Sequence, residues 1–431
     1  MQTSFTEAQL AEPAIMEANA ILRNCVHCGF CLSACPTYAL LGDERDSPRG
    51  RIYMIKDMLQ AAGRPADEIV HHVDRCLSCL ACMNACPSGV HYQHYVDNAR
   101  VHIEKNYTRP WFERLLRRAV SMILPHPGRA RLALGWSGMA RPFAGMLGNK
   151  VRAMLDLAPA RLPPRPENRM GRTYPADGAR RMRVLLLPGC VQDVLRPNIN
   201  DATIRLLNRL GCEVVVAENT GCCGALTHHL GDEKAANRSL EANLAAWHQE
   251  IEAGEVDAIV TNAAGCGTVV KDYGHMAGTD EARQISGLTR DISEILDELG
   301  LGEPDPGEPD PGEPVQGRLP AVAYQDACSL KNGQGITAQP RALLTAAGFR
   351  VGELAETHCC GSAGSYNIFQ PEIADALAVR KIDAVRRTKA EIVATGNIGC
   401  LHHLRQKGGL DVFHTVELLD WATGGPDPRQ L

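Results

Sequence analysis

"THCCGSAGS", Thr357–Ser365, sets two cysteines, Cys359 and Cys360, on neighbouring residues ahead of a glycine. Three readings are open for such a pair: a disulfide, a chance meeting in a core, or a metal site. The pair has a twin. "EVVVAENTGCCGA" carries Cys222 and Cys223, again followed by glycine. Working outward from both, "RVLLLPGC" ends at Cys190 and "DAIVTNAAGCG" holds Cys266, while "AVAYQDAC" ends at Cys328 and "AEIVATGNIGC" holds Cys400. The matching cysteines are offset by 138, 137, 137 and 134 residues. Leu206, Leu207 and Gly211 likewise answer Leu343, Leu344 and Gly348. The second half of the chain is therefore an internal duplication.

In each copy the cysteines follow short apolar, β-branched runs. Helical patterns such as "DATIRLLNRLG" and "PRALLTAAG" lie between the runs. This alternation predicts a duplicated α/β domain with parallel sheets. The cysteines then gather in loops beyond the carboxyl ends of the strands, where open α/β sheets form their binding crevice. Neighbouring Cα atoms lie about 3.8 Å apart across a trans peptide, and a disulfide usually needs about 4.4 Å or more, so a vicinal bridge is strained. A chance core pair would not recur with the same glycine and the same distant partners. Each unit supplies four thiolates, enough for one cluster: Cys190, Cys222, Cys223 and Cys266, or Cys328, Cys359, Cys360 and Cys400. Redox-active thiols, or a unit that has lost its cofactor, are the alternatives. Cys212 lies outside both patterns and reads as a buried apolar residue.

The first hundred residues hold two further runs. "CVHCGFCLSACP" places Cys25, Cys28, Cys31 and Cys35 at C-x2-C-x2-C-x3-C, with Pro36 next, and "CLSCLACMNACP" repeats the spacing with Cys76, Cys79, Cys82, Cys86 and Pro87. Short x2 gaps let three thiolates converge from one loop onto three corners of a cubane, and the fourth points to the other cluster. Cys25, Cys28, Cys31 and Cys86 are assigned to one [4Fe–4S] cluster, and Cys76, Cys79, Cys82 and Cys35 to the second. Four-cysteine zinc sites also use C-x2-C pairs, but zinc needs no third and fourth cysteine at x2 and x3, twice over. About 40 residues separate the runs. Within them Ser47 is placed to cap a helix that starts at Pro48. Arg49 and Arg51 fall in its first turn, where cations oppose the helix dipole. They answer either to the negative clusters or simply to solvent.

Composition sets the outer limits. The chain has 431 residues, 45% hydrophobic and 22% charged, with a net charge of −5. These are the proportions of an ordinary soluble protein and carry no global nucleic-acid signal. No run of about 18 apolar residues occurs, and the N-terminus lacks a basic start with an apolar core. A cytoplasmic location follows as the expectation. Seventeen cysteines, an odd number, in a compartment that keeps thiols reduced, point to metal rather than disulfides. No G-x-G-x-x-G loop occurs.

At these residues the chain resembles a known family. "CVHCGFC…CPTY…LGDE…PRGRIY", "DRCLSC…CPSGV", "GCCGA", "GCG…VKDYG", "CCGSAG" and "NIGC" are similar to the iron–sulfur subunit of glycolate oxidase (a glycolate dehydrogenase). That family falls within a wider group of ferredoxin–CCG electron-transfer subunits. The group includes subunits serving lactate or glycerol 3-phosphate oxidation, and heterodisulfide reductase. The resemblance implies an oxidoreductase subunit that oxidises no substrate by itself. Flavin-binding dehydrogenase subunits would convert glycolate to glyoxylate, and this chain would relay the electrons toward a membrane quinone from the inner face of the membrane. The chain departs from the wider pattern in one respect. The last C-x2-C is incomplete, with Val269 and His403 in the final position. Imidazole can replace cysteine on iron, although a spare histidine in a loop is more often structural.

The expected organisation is a helical two-[4Fe–4S] ferredoxin-type domain over 1–108, a basic amphipathic helical connector over 109–180, a first CCG unit over 181–301, an acidic Pro/Gly linker over 302–318 ("GEPDPGEPDPGEP") and a second CCG unit over 319–431. Arg109–Ala153 holds nine Lys or Arg and one acid, Glu113, among apolar residues. Such segments lie on anionic membranes, or pack on a domain with a solvated basic face.

Overall fold

The computed structural model describes residues 1–61, 63–142, 148–167, 169–302 and 319–431. The linker expected over 302–318 lies, apart from Gly302, outside the described residues.

The sequence runs that lead into the cysteines form the strands of two sheets. In the first unit these are β2 (Met182–Leu187), β3 (Cys212–Val216), β4 (Ala258–Thr261) and β5 (Thr289–Asp291), with a short β1 (Arg172–Tyr174) at the edge. Their order is β1-β3-β2-β4-β5. All neighbours are parallel except β1, which runs antiparallel to β3. The second unit has β6 (Ala321–Tyr324), β7 (Arg350–Gly352), β8 (Ile392–Thr395) and β9 (Val412–His414), in the order β7-β6-β8-β9, all parallel. Val184–Leu187 and Ala258–Thr261 are buried at every residue, as strands covered on both faces must be. β1 reaches back into the stretch assigned to the connector.

"DATIRLLNRLG" lies in helix Asn198–Arg209 and "PRALLTAAG" in helix Gln339–Ala346. The matched Gly211 and Gly348 follow them with φ of 85° and 95°, the left-handed conformation that ends a helix cheaply only with glycine. The two units share one core, in which Val184, Leu206 and Val214 join Val322, Leu344 and Val393. Helix Asn198–Arg209 of the first unit packs on the last helix of the second, Thr415–Ala422, and helix Ile292–Leu299 of the first packs on Gln339–Ala346 of the second. Asn198–Arg209 and its counterpart Gln339–Ala346 thus each meet the other unit's last helix, a pseudo-twofold arrangement. Arg205 and Arg209 pin the first of these contacts to the buried Asp420.

The N-terminal domain is helical, with Pro13–Asn24, Pro48–Ala61, Asp67–Asp74 and Tyr92–Asn106 around a core that includes Leu22, Ile55, Val73, Val96 and Ile103. Ser47 caps as expected: the Gly50 N–H donates to its Oγ at 3.0 Å. Helices Trp111–Ile123, Pro127–Ala140 and Asn149–Leu157 then lead to the first sheet. Among the described residues no helix is long and apolar enough to cross a membrane.

Candidate metal centres

The two N-terminal cysteine runs form loops of one shape. His27 and Ser78, each two residues after the first cysteine, have φ of 60° and 48°, and Gly29 and Leu80, two further on, have 87° and 60°. Left-handed backbone at a bulky residue such as Leu80 is strained by about 1 kcal/mol or more. The second loop keeps the turn of the first without its glycine. Cys25 ends helix Pro13–Asn24 and Cys35 opens helix Pro36–Leu41, with Pro36 at the first position. Pro87 sits in a turn instead.

Cys25, Cys28, Cys31 and Cys86 border one cavity, which Cys82 also touches. Cys35, Cys76, Cys79 and Cys82 border a second. All are free thiols. Burial pushes the Cys31 thiol up to about 11, and burial with crowding by neighbouring thiols pushes Cys79 and Cys82 well up. Thiols so placed ionise only when a cation supplies the missing charge, as a thiolate-bound metal does. The donor set therefore fits an iron–sulfur group at each cavity.

The second cavity has a cationic neighbour. Arg51 is 1% exposed. Its guanidinium lies 3.9 Å from Cys35 Sγ and donates to Thr37 Oγ1 at 3.1 Å and to Asp46 Oδ1 at 3.3 Å. Asp46, fully buried, also takes Arg75 at 2.8 Å and His72 Nδ1 at 2.9 Å. Arg49 takes the other course, pairing with Glu44 near the surface.

In the duplicated half all eight cysteines named from the sequence, Cys190, Cys222, Cys223, Cys266, Cys328, Cys359, Cys360 and Cys400, border a single chamber of about 300 Å³. Each follows the carboxyl end of a strand: β2, β3 and β4 in the first unit, β6, β7 and β8 in the second. The sequence reading gave each unit a site of its own, and the pseudo-twofold turns both sites toward one space. Cys190 and Cys222 approach to 3.5 Å between sulfurs, and Cys328 and Cys359 to 3.8 Å. Neither vicinal pair is joined. The hydrogen bond from Cys190 raises Cys190 and lowers Cys222, and a second from Cys223 lowers Cys222 further.

The glycine of each CCG has a physical cause. Gly224 N–H faces Cys222 Sγ at 3.4 Å, and Gly361 N–H faces Cys359 Sγ at 3.5 Å. Both glycines are left-handed, at φ 84° and 91°. A Cβ on Gly361 would stand 2.4 Å from the Ala374 carbonyl oxygen, and one on Gly224 3.2 Å from that of Ala236. Asn243 and Tyr273 clamp the first loop through the carbonyls of Cys222 and Cys223. Nothing near the CCG motif marks these two residues, which come from elements well downstream.

Neither incomplete C-x2-C position borders the chamber. Val269 is buried in the apolar cluster with Leu185 and Ile259. His403 is fully buried, with Nδ1 toward Asn367 and Nε2 toward the Ala374 carbonyl, and burial pulls it down to about 4. It does not border the chamber, in keeping with a structural histidine. Its neighbour His402 borders the chamber and contacts the Leu157 carbonyl.

Cys76 also borders this chamber. Leu77 packs with Cys359 and Tyr366, beside Cys79 and Cys328, and Asn332 donates to the Cys79 carbonyl at 2.9 Å. The second ferredoxin loop thus abuts the second CCG unit.

Comparison with known proteins follows this geometry. The 4Fe-4S dicluster domain family matches residues 24–90, and the Cysteine-rich domain family matches 184–271 and 322–405. Fold and cysteines together define an iron–sulfur electron-transfer protein that joins a dicluster domain to a duplicated cysteine-rich domain. The chain is 39% identical to the glycolate oxidase iron-sulfur subunit of Escherichia coli (strain K12) over 428 residues, 98% of this chain and 99% of the relative. It is 34% identical to the probable glycolate oxidase iron-sulfur subunit of Bacillus subtilis (strain 168) over 94% of each. Lactate utilization protein A of Bacillus velezensis is 26% identical over 56% of this chain and 99% of its own length. The chain belongs to the family of glycolate oxidase iron-sulfur subunits.

Proposed function

We propose that the chain is the electron-transfer subunit of a glycolate oxidase complex. It takes electrons from flavin-binding subunits that oxidise glycolate to glyoxylate and passes them toward a membrane quinone, from the inner face of the membrane. The observation that carries this reading is the 39% identity over 98% of the chain to a glycolate oxidase iron-sulfur subunit. The lactate reading rests on 26% identity over 56% of the chain.

Cys25, Cys28, Cys31 and Cys86 hold one [4Fe–4S] cluster, and Cys76, Cys79, Cys82 and Cys35 the other. The CCG thiols hold further iron–sulfur. The clusters supply one-electron carriage, which converts a two-electron oxidation into single steps. The chain's own residues position and insulate them. The loop of the first cluster is the outer one, with Cys28, Val26 and Phe30 exposed. The second is enclosed and lies against Cys328 and Cys359 of the second CCG unit. This supports entry at Cys28 and onward transfer through the Leu77–Cys359 contact into the chamber. The boundaries 1–108, 109–180, 181–301, 302–318 and 319–431 remain the proposed domains.

Anaerobic co-purification tests the reading. Flavin subunits should accompany the chain, and glycolate should reduce its clusters. Iron and sulfide near eight per chain is the load of the dicluster domain alone, at four each per cluster. Reduction by lactate and not by glycolate would overturn the assignment.

A further inference from the structure

The basic amphipathic segment after the dicluster domain has no part in the electron relay as described. Its first two helices are apolar on two sides. Inward, Leu116 and Val120 of helix Trp111–Ile123 pack with Leu230, Ile368 and Phe369. Outward, Trp111, Leu115 and Met122 stand exposed on that helix, and Leu132, Trp136 and Met139 on helix Pro127–Ala140. Spacings of three, four and seven align each set in one stripe. Trp111 is 71% and Trp136 62% exposed. The flanking charge has one sign. Arg114, Arg118 and Arg129 are exposed, while Glu113 turns inward to Arg109, Arg117 and Lys150.

The same segment walls the thiol chamber. Leu124, Leu134 and Leu157 border it, as does Met154. Leu134 lies about 200° round its helix from both Leu132 and Trp136, on the opposite face. Met154 borders the chamber and is 36% exposed, so the chamber reaches the surface beside helix Pro127–Ala140. Phe369 and Ile368 extend the apolar wall, and Asn367 and His229 offer hydrogen bonds to a ligand.

We propose that these helices are a lipid-facing roof. Their outer stripes enter the headgroup layer of an anionic bilayer, and the apolar wall of the chamber at Leu134, Ile368 and Phe369, beside the thiols that hold iron–sulfur, binds the ring of a quinone that arrives from that bilayer. Tryptophan, long apolar side chains and exposed arginines on one face are the pattern of interfacial helices. Each cation near an anionic surface strengthens the attachment. The quinone part rests on the proposed relay to a membrane acceptor, and the lipid part stands apart from it.

Two variants separate the parts, each tested in the purified holo-chain. Co-flotation uses vesicles of phosphatidylcholine with or without phosphatidylglycerol. Calorimetry uses a fully substituted benzoquinone with a short isoprenoid tail, whose ring has no free carbon for thiol addition. Leu132→Glu/Trp136→Glu should lower binding to anionic vesicles by about tenfold or more and leave quinone affinity unchanged. Leu134→Trp, which fills the chamber wall, should abolish quinone binding and leave flotation unchanged. Unaltered flotation of the first variant, or wild-type flotation that does not need the anionic lipid, overturns the roof. Flavin subunits bound through Trp136 in place of vesicles also overturn it. Equal quinone binding by Leu134→Trp overturns the chamber site. Glycolate-dependent cluster reduction, measured in parallel in the complex, reports on the relay independently of both.

Discussion

Replacing Arg51 by methionine removes a guanidinium from beside the second ferredoxin cavity while keeping most of its bulk. Two unit charges at the 3.9 Å that separates Arg51 from Cys35 Sγ interact by about 4 kcal/mol at an effective dielectric of about 20. An electron added to a cluster spreads over all its atoms, which roughly doubles the mean distance and halves that figure. Asp46, 3.3 Å from the guanidinium, offsets part of the rest, though it also answers to His72 and Arg75. About 1–2 kcal/mol then favours the reduced cluster. At about 59 mV per 1.4 kcal/mol for one electron, Arg51→Met should lower the potential of the cluster at Cys35, Cys76, Cys79 and Cys82 by about 40–80 mV. A redox titration followed by EPR measures this, with the cluster at Cys25, Cys28, Cys31 and Cys86 as internal reference. Breaking a buried ion pair costs about 3–5 kcal/mol of stability, so Arg51→Lys, which keeps the charge, controls for damage. In Arg51→Met/Asp46→Asn both charges go, and the shift should be smaller than in Arg51→Met alone. Potentials unmoved in Arg51→Met, or both clusters shifted equally, would refute the electrostatic argument.

Gly361→Ala forces a Cβ into contact with the Ala374 carbonyl at a φ of 91°. It should cost at least about 2 kcal/mol, whereas Gly364→Ala, also left-handed but with open space, should cost about 1 kcal/mol; thermal melts of the two variants check the difference. His94 joins the dicluster domain to the first CCG unit. Burial alone would lower it, but hydrogen bonds to Asp272 and Glu17 lift it to about 9. A raised pKa in the folded state means the contribution is complete below about 6.5 and lost as pH climbs through 9. Denaturation at pH 6.5 and 9.5 should differ by on the order of 2–3 kcal/mol from this group, and His94→Gln should flatten that difference. His403→Asn should leave iron content unchanged, while Cys400→Ser should lower it if the second unit holds a cluster; iron and sulfide analysis of both decides between ligand and core.

The duplication made most of the fold legible. Two copies aligned on Cys190/Cys328 and Gly211/Gly348 reveal which apolar runs are strands and which glycines end helices, information that one copy would leave ambiguous. The ferredoxin spacing is equally local, since three thiols on one loop need no distant partner to be recognised. What escaped the sequence depends on longer range or finer phase. Leu80 adopts a left-handed turn that its side chain disfavours, so no turn residue marks it. The sequence left Arg51 between the clusters and solvent, because its burial depends on Asp46, His72 and Thr37, which only the packed helices bring together. His402 and His403 differ by one residue on a helix, and about 100° of rotation decides which reaches the chamber. β1 is three residues, "RTY", too short for a pattern.

The single chamber follows from the way the two units pack. A parallel sheet offers its carboxyl-end crevice on one edge only, so two such units packed side by side in the same sense would hold two separate thiol sets. Here Asn198–Arg209 and Gln339–Ala346 each pack on the other unit's last helix, which relates the units by a pseudo-twofold. One core is shared by the two units, with Val214 and Val393 in the same cluster. The loops after β2, β3, β4, β6, β7 and β8 then face each other across the chamber. The loss of the last C-x2-C cysteine becomes intelligible in this frame. A fifth thiol in each unit would fall where Val269 and His403 now fill the interior, and these two residues keep the apolar and hydrogen-bonded packing behind the sites intact. The glycine-backed vicinal pairs, by contrast, need the left-handed turn and the close helix behind it.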